Sequence, residues 1–348
     1  MALSFGRKKT TVGLDIGSGL IKVAVIDHSK KNRPELTRVA IMPLAQDAIV
    51  EGEVMDPTVV AEAIRAAMEK AGVTSKDVVI AVGGRDVIVK KIQIERVKEQ
   101  QVRELLRWEA EQHVPFDVES VELDHQTLDP TGTGTQMDVL LVAAKRELIQ
   151  AKQRVLEEAG LNAAIVDVES FALHNSFEVN HPDAMSGVVA LLNIGHDVTN
   201  INILEEGVPI LSRDVAVGTR RLREDLMRER GLGAEESDQL LQGFDRSPHL
   251  DSVIETRGEE IAVGIDRAMA FIQQTNRGTE LKQVYTCGGG ARIPGLNDRL
   301  GQRLRLTVQQ ANALANLEVR DGALESLVTD QVSPLLMLPI GLALRKVS

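Results

Sequence analysis

Three short stretches hold most of the residues in this chain whose types and spacing suit chemistry: "DIGSG" at 15–19, "NIGHD" at 193–197 and "CGGG" at 287–290. A polyphosphate needs several donors converging on it and no side chain in the way. Glycine allows that close approach and the positive φ of tight turns, and successive backbone N–H groups then form an anion-binding concavity. Asp15 puts a carboxylate beside the first turn, where hydrated Mg²⁺ would accept it together with phosphate oxygens, and Lys22 can offset phosphate charge. One such turn is also what an ordinary hairpin uses. Three of them, two being repeats of each other, point to a nucleotide clamp. The third turn, in "CGGGARIPG", is expected to lead into a helix whose N-terminus turns its positive end toward a ligand. Competing templates are missing: there is no G-x-x-x-x-G-K-[ST], no G-x-G-x-x-G opening a helix after the first strand, and no H-E-x-x-H.

These turns need rigid flanks, and the apolar pattern provides them. Val12, Leu14 and Ile16 alternate before the first turn, and Ile21, Val23 and Val25 after it, as in two strands. Residues 57–71 carry a helical stripe closed by Gly72, and 77–84 read as a buried strand ending in glycines. Next come a strand at 86–94, a helix at 98–114 stopped by Pro115, a hairpin-like pair around "PTGTG", and a helix at 146–160. The opening pattern returns at 187–207. The chain is therefore expected to be an α/β protein of two related lobes. The first comprises 1–84 with 163–186 and 333–348, and carries an inserted subdomain at 85–162. The second comprises 187–217 and 278–332, with a helical subdomain at 218–277.

The totals narrow the function further. At 348 residues the chain exceeds one ordinary core, and its 43% hydrophobic and 26% charged residues are typical of a globular protein. One Trp, one Tyr and six Phe leave the core to aliphatic side chains. A net charge of −11 repels nucleic acid and anionic lipid. Cys287 stands alone, so no internal disulfide forms, and it reads as a small buried residue. The uncharged run at 331–344 contains two prolines and falls short of the ~20 apolar residues that a spanning helix needs. No apolar signal opens the chain, and the basic "SFGRKK" start gives little membrane affinity, so membrane association is expected only through a partner. His174 and His196 read as structural or surface residues. Trp108 lies off its helix's core stripe and is expected to pack at the subdomain edge; the other reading is an exposed aromatic anchor for a peptide.

"GLDIGSGLIKVAV", "LLNIGHDVTNINIL" and "VYTCGGGARIPGL" resemble the two phosphate motifs and the adenosine motif of the actin-like ATPase fold, duplicated and RNase H-like, in order and over nearly the whole chain. The insertion is similar to the extra subdomain of the division protein FtsA. "DVESFALHNSF" at 167–177 and the chain length look most like the PilM family of type IV pilus assembly proteins. That resemblance implies ATP with Mg²⁺ between the lobes. Gly17, Ser18 and Gly19, with Lys22, would form one phosphate loop, and Asp15 would stand near the metal, directly or through water. Gly195, His196, Asp197 and Thr199 would form the other, with Gly218 behind it. Gly288, Gly289, Gly290 and Arg292 would lie against the adenosine. Asp238 replaces the Glu of the usual A-E-x-x-K stretch, whose Lys is Leu241 here. Glu169, with Asp15, would serve catalysis by orienting the attacking water.

Asn193 stands where relatives usually carry Asp, which weakens metal positioning and any base role. The resemblance therefore implies an ATP-binding scaffold with weak or no hydrolysis. It would be cytoplasmic and peripheral to the inner membrane through its partner, the N-terminal peptide of a PilN-like bitopic protein, held between the first lobe and the inserted subdomain near 86–94. Other pilus inner-membrane and motor proteins, and self-association, are further implied partners. The alternatives are an FtsA-like filament-forming division protein and a small-molecule kinase of the same fold.

Overall fold

The computed structural model describes residues 10–30, 33–243, 247–275, 279–325 and 327–347; the basic start of the chain lies outside them. β1 (Thr10–Ile16) and β2 (Leu20–Asp27) form an antiparallel hairpin across the first glycine turn, and β3 (Glu35–Pro43) extends it. A small hairpin, β4 (Ile49–Val50) and β5 (Glu53–Val54), leads to α1 (Pro57–Lys70). Asp56 caps α1 by accepting from the Val59 N–H at 3.1 Å, and Pro57 presets the first helical φ. β6 (Asp77–Val82) then pairs with β1 in parallel.

The inserted subdomain consists of β7 (Val87–Glu95), α2 (Glu99–His113), β8 (Val121–Thr127) and β9 (Gln136–Lys145), in sheet order β7-β9-β8. One face of its sheet and Val102, Leu106 and Ala110 of α2 share a separate core. α3 (Arg146–Glu158) does not belong to it. Val155, Leu156 and Ala159 pack with Ile64 and Ala67 of α1, so the subdomain core ends with β9 instead of reaching 162. The reason is amphipathicity: the apolar stripe of α3 fits the open face of the first sheet. Trp108 is 72% exposed, contrary to the expected edge packing, because α2 uses only its opposite face against the sheet.

β10 (Asn162–Val168) completes the first sheet and α4 (Glu169–Asn180) follows it. β11 (Val188–Ile194), β12 (Thr199–Glu205) and β13 (Val208–Val215) repeat the opening meander, followed by α5 (Thr219–Arg230), α6 (Ala234–Leu241) and α7 (Pro248–Thr275). β14 (Leu281–Cys287), α8 (Leu296–Leu304) and β15 (Thr307–Gln310) complete the second sheet, while β16 (Glu318–Val319) returns to β3. α9 (Thr329–Val332) and α10 (Met337–Ala343) end the described chain. The strand orders β3-β2-β1-β6-β10 and β13-β12-β11-β14-β15 correspond position by position, so the duplication extends to topology.

α4 and α10 lie between the two sheets. Their core includes Ala24, Ile26 and Val79 from the first sheet and Val189, Leu191 and Tyr285 from the second. Glycines set the spacing: a Cβ on Gly13 would come 2.2 Å from the Pro339 carbonyl, and one on Gly341 would come 1.7 Å from that of Ala172. Among the described residues no helix is long and apolar enough to cross a membrane.

Candidate functional site

Each β-hairpin places its glycine turn at the mouth of the cleft between the sheets. Gly17 donates its N–H to the Leu20 carbonyl at 3.2 Å, and Gly195 does the same to Val198 at 2.9 Å, so the repeated motifs make the same turn. The turns also meet. A Cβ on Gly19 would lie 3.0 Å from the His196 ring, and one on Gly218 would lie 2.2 Å from the His196 carbonyl. Gly17, Ser18, Gly19, Gly195, His196, Asp197 and Gly218 therefore form one neighbourhood.

His196 is in the cleft and not on the outer surface, and it is also engaged: its Nδ1 is 3.2 Å from Thr219 Oγ1. Burial lowers its pKa below the ordinary imidazole value. His174 is elsewhere, on α4 near the Gly207 backbone, and burial likewise depresses it. Asp197 is partly buried, with its side chain 7% exposed; its Oδ2 accepts the Glu51 N–H at 3.0 Å, while its Oδ1 has no hydrogen-bond partner among the described residues. Thr199 departs from expectation. It is fully buried and its hydroxyl donates to the Val217 carbonyl at 2.6 Å, so it supports the turn and does not line the cleft.

Asp15 sits in the floor beside the first turn, buried and paired with Lys22 Nζ. The two neutralise each other across the β1–β2 register, so Lys22 is not a free phosphate cation in this state. Glu169 opens α4. Burial raises its carboxyl pKa, Lys152 opposes that rise, and Asp15 and Asp214 add to it. Lys152 Nζ stands 3.8 Å from Glu169 Oε1 and donates to the Ala81 carbonyl at 2.8 Å. Asp214 is also raised by burial and accepts from Asn200 Nδ2 at 2.8 Å.

The adenosine motif is built differently from its reading as an open cradle. A Cβ on Gly288, at φ +80°, would meet Asn193 Oδ1 at 2.5 Å, and one on Gly290 would meet Ile194 Cγ2 at 2.1 Å. These two glycines let β14 pack on the second turn. Gly289 alone faces space, its nearest neighbour being Thr219 Cγ2 at 3.9 Å. The expected helix does not follow directly: a 3-10 turn covers Gly290–Arg292, and α8 starts only at Leu296. Arg292 is half-buried there, and burial lowers its pKa. Asp238 on α6 is tied to Arg223 Nε at 2.7 Å. Cys287 is buried and its thiol is pushed up to about 12, which leaves it inert.

Sequence reasoning passed over Gly83, Lys152, Asp214 and Arg220. Gly83 had a visible signal, the glycines that end the 77–84 run: a Cβ there would lie 2.4 Å from Glu169 Oε2. The other three are ordinary charged residues that only the tertiary fold brings to the cleft. The glycines against the turns, the floor carboxylate Asp15 and the buried unpartnered Asp197 Oδ1 fit a phosphate group with a hydrated cation. Among the described residues no group of three or more His, Cys, Asp or Glu side chains is arranged to hold a metal by itself, so such a cation would depend on phosphate oxygens and water.

The fold is shared with solved structures of actin-like proteins. A chain of a "PilM-PilN type IV pilus biogenesis complex" matches with TM-score 0.85 and 25% identity, over 98% of this chain and 99% of that one. The ethanolamine utilization protein EutJ from Carboxydothermus hydrogenoformans matches at 0.59 and 19% over 96% and 89% of the two chains. MreB5 of Spiroplasma citri bound to AMPPNP matches at 0.53 and 12% over 96% and 95%. The family described as type IV pilus assembly protein PilM matches residues 13–347. With the duplicated meander, the facing glycine turns and the inserted subdomain all in place, the chain belongs to the PilM family of type IV pilus assembly proteins.

Proposed function

We propose that this protein is a cytoplasmic scaffold of type IV pilus assembly that holds the N-terminal peptide of a PilN-like bitopic membrane protein and binds ATP with Mg²⁺ between its lobes. The observation that carries the partner is the end-to-end match to a chain of a PilM–PilN complex, over 98% and 99% of the two chains. The peptide is proposed for the groove between the first lobe and the inserted subdomain. β7, within the strand at 86–94 proposed to lie near the peptide, pairs with β9 and runs beside β13 of the second lobe. Among the described residues β8 pairs with β9 alone, and its Glu122 accepts from Arg146 Nε at 2.8 Å at the start of α3. An extended peptide could add its backbone to that edge and set side chains in pockets. A calorimetric titration with a synthetic partner-tail peptide is expected to show one-to-one binding. Absence of binding to the intact protein would sink the partner reading.

In the nucleotide reading, Gly17–Gly19 and Gly195–Asp197 bind phosphates, Asp15 faces the cation, and Gly289 with Arg292 borders the base. The cation would screen phosphate charge. Glu169, its pKa raised, would orient water poorly unless Lys152 keeps it ionised, and Asn193 contributes no carboxylate. Binding with weak or no turnover is therefore proposed, and is read by nucleotide affinity and phosphate release measured on the same preparation.

A further inference from the structure

A strap over residues 44–56 crosses the mouth of the cleft and is fastened to both glycine turns. At its root, the Leu44 N–H donates to the Gly19 carbonyl at 3.0 Å, and Leu44, Ala48 and Ile49 are buried in the first-lobe core. At its tip, the Glu51 N–H donates to Asp197 Oδ2 at 3.0 Å and Asp47 Oδ1 accepts from Arg220 Nη2 at 2.5 Å. Asp47, Glu51 and Gly52 are all held at positive φ, of +60°, +49° and +88°. For two of them this is a conformation that non-glycine residues rarely adopt. Tertiary contacts, not local preference, hold the tip in place.

Arg220 is the pivot. It stands in the first turn of α5, its own N–H donating to the His196 carbonyl at 2.9 Å, and its guanidinium also meets Glu224 Oε1 at 3.1 Å. Its Nη1 lies 3.8 Å from Asp197 Oδ1, close enough for charge attraction but too far for a hydrogen bond, and among the described residues that buried oxygen has no hydrogen-bond partner. A donor and an acceptor thus stand in ion-pair range, without a hydrogen bond, on the second phosphate turn. A phosphate oxygen would suit Nη1, and a metal-bound water would suit Oδ1.

Resting on the nucleotide reading above, we propose that Arg220 and Asp197 recognise a nucleotide's terminal phosphate with its hydrated cation, and that the strap, through Asp47, competes for Arg220. Phosphate draws Arg220 from Asp47 and loosens the strap, so that occupancy of the cleft is reported at the first-lobe surface next to α1.

The test uses the full chain, MgATP and MgADP, a fluorescence affinity measurement, and amide hydrogen exchange over residues 49–56. Arg220→Gln is expected to weaken MgATP binding roughly tenfold, the scale of one charge-assisted hydrogen bond, and MgADP binding less. Asp47→Asn is expected to speed strap exchange without nucleotide and to tighten MgATP binding by roughly threefold, in line with a partly exposed ion pair. MgATP should speed strap exchange in the wild-type protein. Normal MgATP binding by Arg220→Gln, or wild-type affinity and exchange in Asp47→Asn, overturns the proposal and leaves the nucleotide reading standing. No MgATP binding by the wild-type protein removes both. An accompanying thermal melt identifies a variant that is merely unfolded, and Asp47→Asn, an exposed site, then decides.

Discussion

At the scale of single residues, Asn193 governs what the cleft can do with a nucleotide. Its Oδ1 sits 3.8 Å from Cys287 Sγ and beside Gly288, at the end of β11, where only a neutral amide faces the second turn. Restoring a carboxylate there adds an acceptor for a metal-bound water without changing shape. Asn193→Asp is expected to raise Mg²⁺-dependent phosphate release by at least ~10-fold, within the range of one well-placed general-base or metal-orienting group. An unchanged rate at saturating MgATP would mean that the amide is not what limits turnover. The difference between the two copies of the turn was legible from residue types alone. The Asp15–Lys22 pairing was not, because residues seven apart become neighbours only once the hairpin register puts them opposite each other.

At the scale of elements, the glycines do two jobs that the sequence does not separate. Gly19 and Gly218 keep the turns close, whereas Gly13 and Gly341 seat α10 against β1 and α4. The second kind should dominate stability. Gly341→Ala would drive a methyl to 1.7 Å from the Ala172 carbonyl, which forces the helices apart. A loss of about 3 kcal/mol is expected, at the upper end of overpacking costs, read as a lower denaturant midpoint with nucleotide absent. A midpoint within error of the wild type would show that α10 shifts freely. Element types and both hairpins were readable because alternation and helical stripes are local. The allegiance of α3 was not: its stripe fits either the inserted sheet or the first lobe, and only the packing of Val155 and Leu156 on α1 decides. The start of α8 was misplaced for a related reason, since Pro294 and Gly295 delay the helix beyond the glycines.

At the scale of the whole molecule, stability should depend on pH through buried imidazoles. Burial lowers the pKa of His28, His174, His181 and His196 below the usual value of 6.5. As pH falls through that value, the unfolded chain takes up protons that the folded one refuses, so folding stability drops. Asp167, Glu169 and Asp214, all raised by burial, act in the opposite sense, so the imidazole contribution is read as a difference between variants. Between pH 7.5 and 5.5 the denaturant midpoint of the wild type is expected to lose more, or gain less, than that of His28→Gln. Parallel profiles would contradict this. The two-lobed plan was visible in the repeated motif, yet the sharing of one core by the two sheets was not, since no local pattern shows which faces of α4 and α10 meet which sheet.

That shared core also has a consequence for biosynthesis. The Gly13 face of β1, residues 10–16, is covered by α10, residues 337–343, so the ribosome completes a first-lobe strand long before its cover exists. Until then Gly13 and its apolar neighbours stand open on a growing nascent chain. Final closure of this face waits until residues 337–343 have left the ribosome, and the exposed apolar surface is open to misassembly until then.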